Sequence, residues 1–583
     1  MLPNNVMSDV CVYKIKAPLE PYLDIVKGKI NGACEGIEPW KVVLYACGTT
    51  AVCIYVKNIL ISDEETLTKR TKREFFRWIK MIPMVKARVA AEKKKILHEM
   101  EEGMHADVPS YMLKLPSKGL TMDEVMKELG EYKKLTKVDW EKSTVSGTVY
   151  SGDPDLTKLM EKTYGMFAWT NPLHADIFPD IRKMEAEVVR MCCSLFNGDS
   201  ESCGTMTSGG TESILMACLS YRNMARERGV RIPEMIVPVT VHAAFDKAAA
   251  YFHMKITHIP VDEETRKVDL KAMRRAINAN TCMLVGSAPQ FPHGVIDDIE
   301  GICKLGEKYN IPVHVDCCLG GFLVPFMEKA GFPIPVVDFR LSGVTSISAD
   351  THKYAFAPKG SSVILYKSHD YRKHQFFVQP DWPGGIYATA AVGGSRAGAI
   401  IAVCWATLMY FGEEGYVQST KKIISTARYI CEGLREIPGI MVYGEPQMSV
   451  VGFGKAKGYK YNIFTLSEML AKKRGWNLNP LQFPSSVHLC CTILHTKEGV
   501  ADRFITDVRE CLEELLASPD AEAGGMFSNK YVYFRLLCME WPRVSQIVPW
   551  YPELAGCFVE ALYSTNKEEY KSNGEVKANG VVH

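Results

Sequence analysis

The chain of 583 residues lacks most of the short signatures that would settle its class at once. It has no Cys-x-x-Cys pair and no His-Glu-x-x-His, so metal ligands at the usual spacings are missing and no metal is expected. Its 19 cysteines include the neighbours Cys192 and Cys193, Cys317 and Cys318, and Cys490 and Cys491, without the dense spacing of a small disulfide scaffold. They read as thiols of a reduced, cytosol-facing domain. Charge of one sign is not in excess: 69 Lys and Arg stand against 67 Asp and Glu, a net +2, and this balance argues against a nucleic-acid partner. Internal repeats and long low-complexity runs are absent as well, and only the polar end from about residue 565 reads as disordered.

Long hydrophobic runs are scarce too, with one exception near the start. Residues 42–56 carry no charge, and with Lys57 snorkelling the segment reaches Ile61, close to the roughly 20 residues a bilayer span needs. This predicts a single transmembrane helix over 42–61, after a short lumenal segment, 1–41. Lys69, Arg70, Lys72, Arg73, Arg77 and Lys80 follow, then Lys86, Arg88 and Lys93 to Lys95, so 62–130 reads as a basic juxtamembrane stalk. The positive-inside rule then places the bulk of the chain in the cytosol. A cleaved signal peptide is not expected, because the run begins far from the first residue and no small-residue cleavage site is evident.

What is present is a large hydrophobic fraction, 47%, in a chain long enough for several domains. From about residue 207 helical and strand patterns alternate: helices near 212–228, 243–252, 270–279 and 299–309, and strands near 235–241, 255–260, 281–286, 311–316 and 344–349. Strands separated by helices of this length imply right-handed crossovers and a mostly parallel sheet covered on both faces, an α/β domain over 207–397. After Gly398 two helical stretches, 399–411 and 415–436, lead into mixed short elements and a helix near 500–517, a smaller α+β domain over 398–525. Residues 131–206 form a segment before the sheet, and 526–583 a tail that is partly disordered.

In open parallel sheets ligands sit beyond the carboxyl ends of the strands. Four such ends carry chemistry. Ser208, Gly209, Gly210 and Thr211 open a long helix and offer backbone amides to an anion, although an ordinary capped helix would look similar. His242 follows a strand and could cover a flat ring; a lone histidine is more often structural. Asp316 ends the strand of His-Val-Asp-Cys-Cys-Leu-Gly-Gly, where a buried carboxylate calls for a cationic partner such as a protonated ring nitrogen. Lys353, in Ser-Ala-Asp-Thr-His-Lys-Tyr, lies just after a core strand, where a lysine is costly to bury unless paired or covalently bonded through its amine. Phosphate anchor, ring cover, pyridinium partner and imine former are together what a pyridoxal phosphate site requires. His352 beside the lysine is a candidate proton relay.

These motifs, with Thr-Ser-Gly-Gly-Thr-Glu-Ser at 207–213, resemble the group II decarboxylase-like branch of fold type I pyridoxal phosphate enzymes. More specifically, Gly-Thr-Val-Tyr-Ser-Gly (147–152), Asn-Pro-Leu-His-Ala-Asp-Ile-Phe-Pro (171–179), Pro-Gln-Phe-Pro-His-Gly (289–294) and Gly-Gly-Ile-Tyr (384–387) resemble the sphingosine-1-phosphate lyase family, over about residues 15–520. The resemblance implies a large domain with a mostly parallel seven-stranded sheet, a smaller C-terminal domain, and a homodimer with shared active sites in the endoplasmic reticulum membrane, catalytic domain toward the cytosol. It implies retro-aldol cleavage of the C2–C3 bond of a phosphorylated sphingoid base, giving a long-chain aldehyde and phosphoethanolamine. Carried over by position, Tyr150, His174 and Lys359 match substrate-phosphate contacts, with Asn171 in the same binding group, and Tyr387 matches a catalytic tyrosine. Gly394 and Ser395 match a cofactor-phosphate loop from the second subunit, while His314, Thr351 and His352 join the cofactor contacts. The run Tyr-Val-Tyr-Phe-Arg-Leu-Leu-Cys-Met-Glu-Trp-Pro at 531–542 departs from the family's pattern. Two rival readings share these residues: an amino-acid decarboxylase, which would need a carboxylate clamp, and an inactive membrane-anchored scaffold, which would not need Lys353, Asp316 and His242 intact.

Overall fold

The computed structural model describes residues 35–60 and 111–517 continuously, with scattered positions between 25 and 94. The expected disordered tail, the atypical run at 531–542 and most of the basic stalk lie outside the described residues. The chain divides between residues 79 and 80 into two units.

In the first unit, helix α1 (Pro39–Leu60) occupies the segment read as a membrane span. That expectation is not supported: among the described residues no helix is long and apolar enough to cross a membrane. The uncharged run is short for a bilayer, and Gly48, Thr49 and Thr50 interrupt its apolar character at the centre.

In the second unit, α2 (Met122–Lys133) has a capping box between Thr121 and Glu124 that satisfies its first amides. Helices α3 (Pro154–Phe167) and α4 (Pro179–Leu195) each start on proline, which needs no donor there and has its φ already set. Then comes the alternation: β1 (Cys203–Thr207), α5 (Gly210–Glu227), β2 (Glu234–Pro238), α6 (Ala244–Phe252), β3 (Lys255–Ile259), α7 (Leu270–Ala276), β4 (Thr281–Ser287), α8 (Ile299–Tyr309), β5 (Val313–Cys317), β6 (Val344–Ala349) and β7 (Ser362–Tyr366). The seven strands form one sheet in the order β1-β7-β6-β5-β4-β2-β3, and β7 pairs antiparallel with both neighbours while β2 to β6 pair in parallel. Strands β2, β4, β5, β6 and β7 are buried along their whole length, as expected of a sheet covered on both faces. The fold is thus the mostly parallel, seven-stranded α/β arrangement expected.

Beyond it, β8 (Phe377–Gln379) and β9 (Tyr387–Thr389) form an isolated hairpin. The two helical stretches read after Gly398 are both present along α9 (Gly398–Arg435), as two helices separated where Gly412 adopts φ 55° and ψ −175°. A four-stranded antiparallel sheet, β10 (Ile440–Val442), β11 (Val450–Lys455), β12 (Asn479–Leu481) and β13 (Ser486–Cys490), follows with α10 (Ile463–Met469) and α11 (Val500–Ala517). All the described cysteines are free.

Candidate active site

The large sheet delivers its polar residues to one edge. Asp316 lies near the carboxyl end of β5, opposite Ser348 of β6, and both are buried. Its Oδ1 accepts from the Cys318 amide at 3.0 Å and from Ser348 Oγ at 3.3 Å, while Oδ2 has no described bond within the chain. Behind it, His314 is fully buried with Nδ1 2.8 Å from Ser346 Oγ and Nε2 3.2 Å from Ser348 Oγ. Burial holds its pKa down at about 4, so the ring is neutral near pH 7 and can donate to Ser348, which in turn donates to Asp316. His314 therefore supports the carboxylate from behind, and Phe245 of α6 packs against it edge-on.

Lys353 follows β6 in a tight turn, with a side chain 22% exposed, and Nζ donates to Oδ2 of the buried Asp350 at 2.8 Å. Burial pulls the Lys353 pKa down, but the charge and hydrogen bond of Asp350, with Cys318 and Asp316 nearby, outweigh it and leave it raised. Asp350 is a site residue that reading from the sequence missed, although it stands three positions before the lysine in the same motif. His352 places Nδ1 2.6 Å from the Ser361 carbonyl and Nε2 3.6 Å from Asp350 Oδ2; its pKa is lowered, first by burial. Thr351 is fully buried and donates to Ser361 Oγ at 2.7 Å, which ties down the turn.

The helix start lies against this turn. Gly209 and Gly210 let it approach: a Cβ on Gly209 would be 3.5 Å from the His352 ring, and one on Gly210 would be 2.7 Å from both Asp350 oxygens and from Cys318 Sγ. Ser208 gives its amide and hydroxyl to Glu212 Oε2 at 2.7 and 2.6 Å. A cavity of about 600 Å³ opens beside it, lined by Ser208, Thr211, Glu212, Ser395 and Arg396 among others. Ser395 accepts from Asn171 Nδ2 at 3.0 Å, and Arg396 makes a bidentate pair with Glu185 at 2.6 and 2.8 Å. Ser395 thus sits close to the helix start of its own chain, and Gly394 adjoins Tyr387, whose hydroxyl would be 2.4 Å from a Cβ there.

On the other flank Lys359 is exposed, with Nζ 4.8 Å from the ring centre of the buried Tyr150 and donating to the His352 carbonyl at 3.3 Å. Its pKa is lowered, chiefly by burial of the amine and then by Lys353. Burial raises that of Tyr150, keeping a neutral phenol able to donate. His242 is exposed after β2, its Nδ1 accepting from the Ala244 amide at 3.1 Å. His174 is exposed in the turn between α3 and α4, and Tyr387 on β9 packs against Phe377 and Trp382. Neither makes a described contact with Lys353 or Asp316.

These residues fit pyridoxal phosphate. A buried carboxylate with one oxygen uncommitted suits a ring nitrogen, the glycine-lined start of an 18-residue helix suits a phosphate, and Lys353 supplies the amine. Among the described residues no group of three His, Cys, Asp or Glu is placed to hold a metal ion.

Comparison with known proteins agrees. A family described as the pyridoxal-dependent decarboxylase conserved domain matches residues 109–456. Sphingosine-1-phosphate lyase 1 of Rattus norvegicus is 47% identical over 558 residues, 94% of this chain and 95% of the relative. Sphingosine-1-phosphate lyase of Drosophila melanogaster is 51% identical over 499 residues, 85% and 91% of the two chains. Among solved structures, the sphingosine-1-phosphate lyase of Burkholderia pseudomallei superposes with a TM-score of 0.68 at 37% identity, covering 76% of this chain and 98% of its own. A glutamate decarboxylase of Lactobacillus brevis, TM-score 0.61 at 21% identity over 71% of this chain and 96% of its own, shares the fold. With identity of this order along nearly its whole length, the chain belongs to the sphingosine-1-phosphate lyase family of pyridoxal phosphate enzymes.

Proposed function

We infer that this chain is a pyridoxal phosphate-dependent carbon–carbon lyase that cleaves phosphorylated sphingoid bases between C2 and C3 into a long-chain aldehyde and phosphoethanolamine. The observation that carries the substrate class is Lys359. It stands over Tyr150 beside the Lys353 turn, and among the described residues it has no carboxylate partner, so an anion from outside can take that place.

Bound pyridoxal phosphate would supply the electron sink that lets the C2–C3 bond break. Lys353 would hold it by its aldehyde, Asp316 would keep its ring nitrogen protonated, and the amides at the start of α5 would hold its phosphate. His314 and Ser348 keep the Asp316 carboxylate aimed. Lys359, Tyr150 and His174 are proposed to bind the substrate phosphate, Asn171 to line that side, and Tyr387 and His352 to move protons at the substrate. Incubating the full chain with phosphorylated and unphosphorylated long-chain base and measuring aldehyde tests this: aldehyde should come from the phosphorylated base, and none from it would end the reading.

A homodimer is proposed as well. Its support is the exposed apolar surface of the β8–β9 hairpin and the segment after it, Phe377, Val378, Trp382, Ile386 and Val392, next to the Gly394–Ser395 loop. Sedimentation of the full chain decides it. For location we propose the endoplasmic reticulum membrane, with the catalytic unit facing the cytosol. The uncharged run 42–56, the exposed Val43, Leu44 and Val52 of α1 and the basic residues 69–95 support attachment. Against a full span stands the lack of a sufficiently long and apolar helix among the described residues. Release of the chain by alkaline carbonate would remove the span.

A further inference from the structure

Asp350 has no role in the reading above, yet it is placed more tightly against Lys353 than any other described side chain. It is 2% exposed, its Oδ2 accepts from Lys353 Nζ at 2.8 Å, and its Oδ1 is buried without a hydrogen-bond partner. Both oxygens face the first residue of α5, where only a glycine leaves them room. A carboxylate so enclosed is costly unless a cation stays beside it.

We propose that Asp350 is the positioning residue of the cofactor lysine, holding the Lys353 amine as an ammonium at the mouth of the α5 helix start whenever that nitrogen is not bonded to the cofactor. This rests on Lys353 being the cofactor lysine. Two moments are involved. Before loading, the ammonium would give up one proton to solvent, and the neutral amine would hold the cofactor by its aldehyde carbon, the aldehyde oxygen leaving as water. When a substrate amine takes its place, Lys353 would be released as an amine that takes up the proton the substrate's ammonium lost. Asp350 is where that ammonium returns, so the lysine stays within reach for the reverse exchange.

Two lysines and two carboxylates stand near one another there, and Lys353 is the lysine bonded to Asp350. Facing the pair are Asp316 of β5, Cys318 after it, His352 and Lys359 of the same turn, and Tyr150 and Cys490 of β13 on the far side. Burial pushes the Cys318, Cys490 and Tyr150 pKa values up and the His352 pKa down, so these four are neutral near pH 7. Asp350 is then the carboxylate in contact with Lys353, and the net effect on the lysine is a raised pKa despite burial.

The test is the pH dependence of loading. Full-length chain freed of cofactor is mixed with pyridoxal phosphate between about pH 6 and pH 10, below the raised titration of the lysine, and the visible absorbance of lysine-bound cofactor is followed. At each pH Asp350→Asn should load about 10- to 1000-fold faster than the unaltered chain, because an opposite charge in contact has been removed and more of the lysine is neutral. Asp350→Glu should recover at least part of that difference. An unchanged loading rate with normal absorbance overturns the proposal, whereas absence of the absorbance in the unaltered chain would instead strike at Lys353 as the cofactor lysine. A second measurement holds even if Asp350→Asn loads poorly. Cofactor-free Lys353→Met should melt at a lower temperature than the unaltered chain, and adding Asp350→Asn to it should raise the melting temperature again by removing the stranded charge. A double variant that melts no higher than Lys353→Met overturns the proposal.

Discussion

The two flanks of the site are built differently. Around Lys353 and Asp316, polar groups are buried and most have partners within the chain, from His314 through Ser348 to Asp316 and from Lys353 to Asp350. Around His174, His242 and the β8–β9 hairpin, comparable side chains stand exposed, among apolar residues such as Trp382 and Ile386 that nothing in the described chain covers. The first flank is finished by the sheet itself, because burying a charge or a hydroxyl without a partner costs more than a fold of marginal stability tolerates. The second can be left open, since exposed groups keep their water. The comparison teaches that the residues proposed to hold the cofactor are anchored in the core, while those proposed to meet the substrate stand free to engage something from outside.

The sharpest way to break this contrast is at the anchored flank. Lys353→Ala should remove the cofactor absorbance and lower turnover by more than about 10³-fold, as expected when a covalent anchor is lost. Retained turnover with an intact spectrum would mean the anchored flank is not the chemical one.

Lys359→Ala probes the boundary between the flanks. It should leave the cofactor absorbance intact and cost roughly 2 to 4 kcal/mol in kcat/KM on the phosphorylated base, the range for leaving a charged group of a bound complex without its partner. On a base lacking the phosphate most of that loss should vanish. Equal losses on both substrates would make Lys359 part of the anchored flank.

A pH experiment reads the anchored flank through stability. His314 titrates at about 4 in the folded chain against an ordinary 6.5, because burial disfavours its charged form. Between those values the unfolded chain binds the proton and the folded one does not. The stabilisation is therefore complete above pH 6.5 and is lost as pH falls toward 4, at up to about 1.4 kcal/mol per pH unit for this residue. His488 and His495, also buried and held down at about 4, add in the same direction. Urea unfolding at a series of pH values should show the slope, and His314→Gln should make it shallower by one proton's worth.

The smallest expected effect is that of Ser348→Ala. It removes the hydroxyl between His314 and Asp316 at a cost of about 1 kcal/mol in stability, with weaker cofactor retention as the companion readout in dialysis. Retention unchanged at full stability loss would show the network to be structural only.

Much of the molecule was legible before any coordinates. Glycine pairs, β-branched runs and capping residues marked nearly every helix and strand between 210 and 349 to within a few residues, since these signals act over one or two turns. The break in the long helix at Gly412 was legible for the same reason, as a gap in the helical pattern with glycines on both sides. Strands β1 and β7 were not. They pair with each other at the sheet's edge and its one reversed position, and their short runs carry no local mark of either. Asp350 was also passed over, because a carboxylate between Ala349 and Thr351 reads locally as a turn residue.

By itself, then, the sequence determined which chemical groups were available and at which strand ends they would emerge: a lysine, an aspartate, a histidine and a glycine-rich helix start, in an order that pyridoxal phosphate chemistry can use. Only the tertiary structure decided how they meet. The β5–β6 register sets Ser348 opposite Asp316, the approach of α5 brings Gly210 against Asp350, and the turn after β6 folds Lys359 over Tyr150 from the far end of the segment before the sheet. Such contacts join residues far apart in the chain, and their energy comes from burial and pairing that exist only once the sheet is assembled, so no local pattern can encode them.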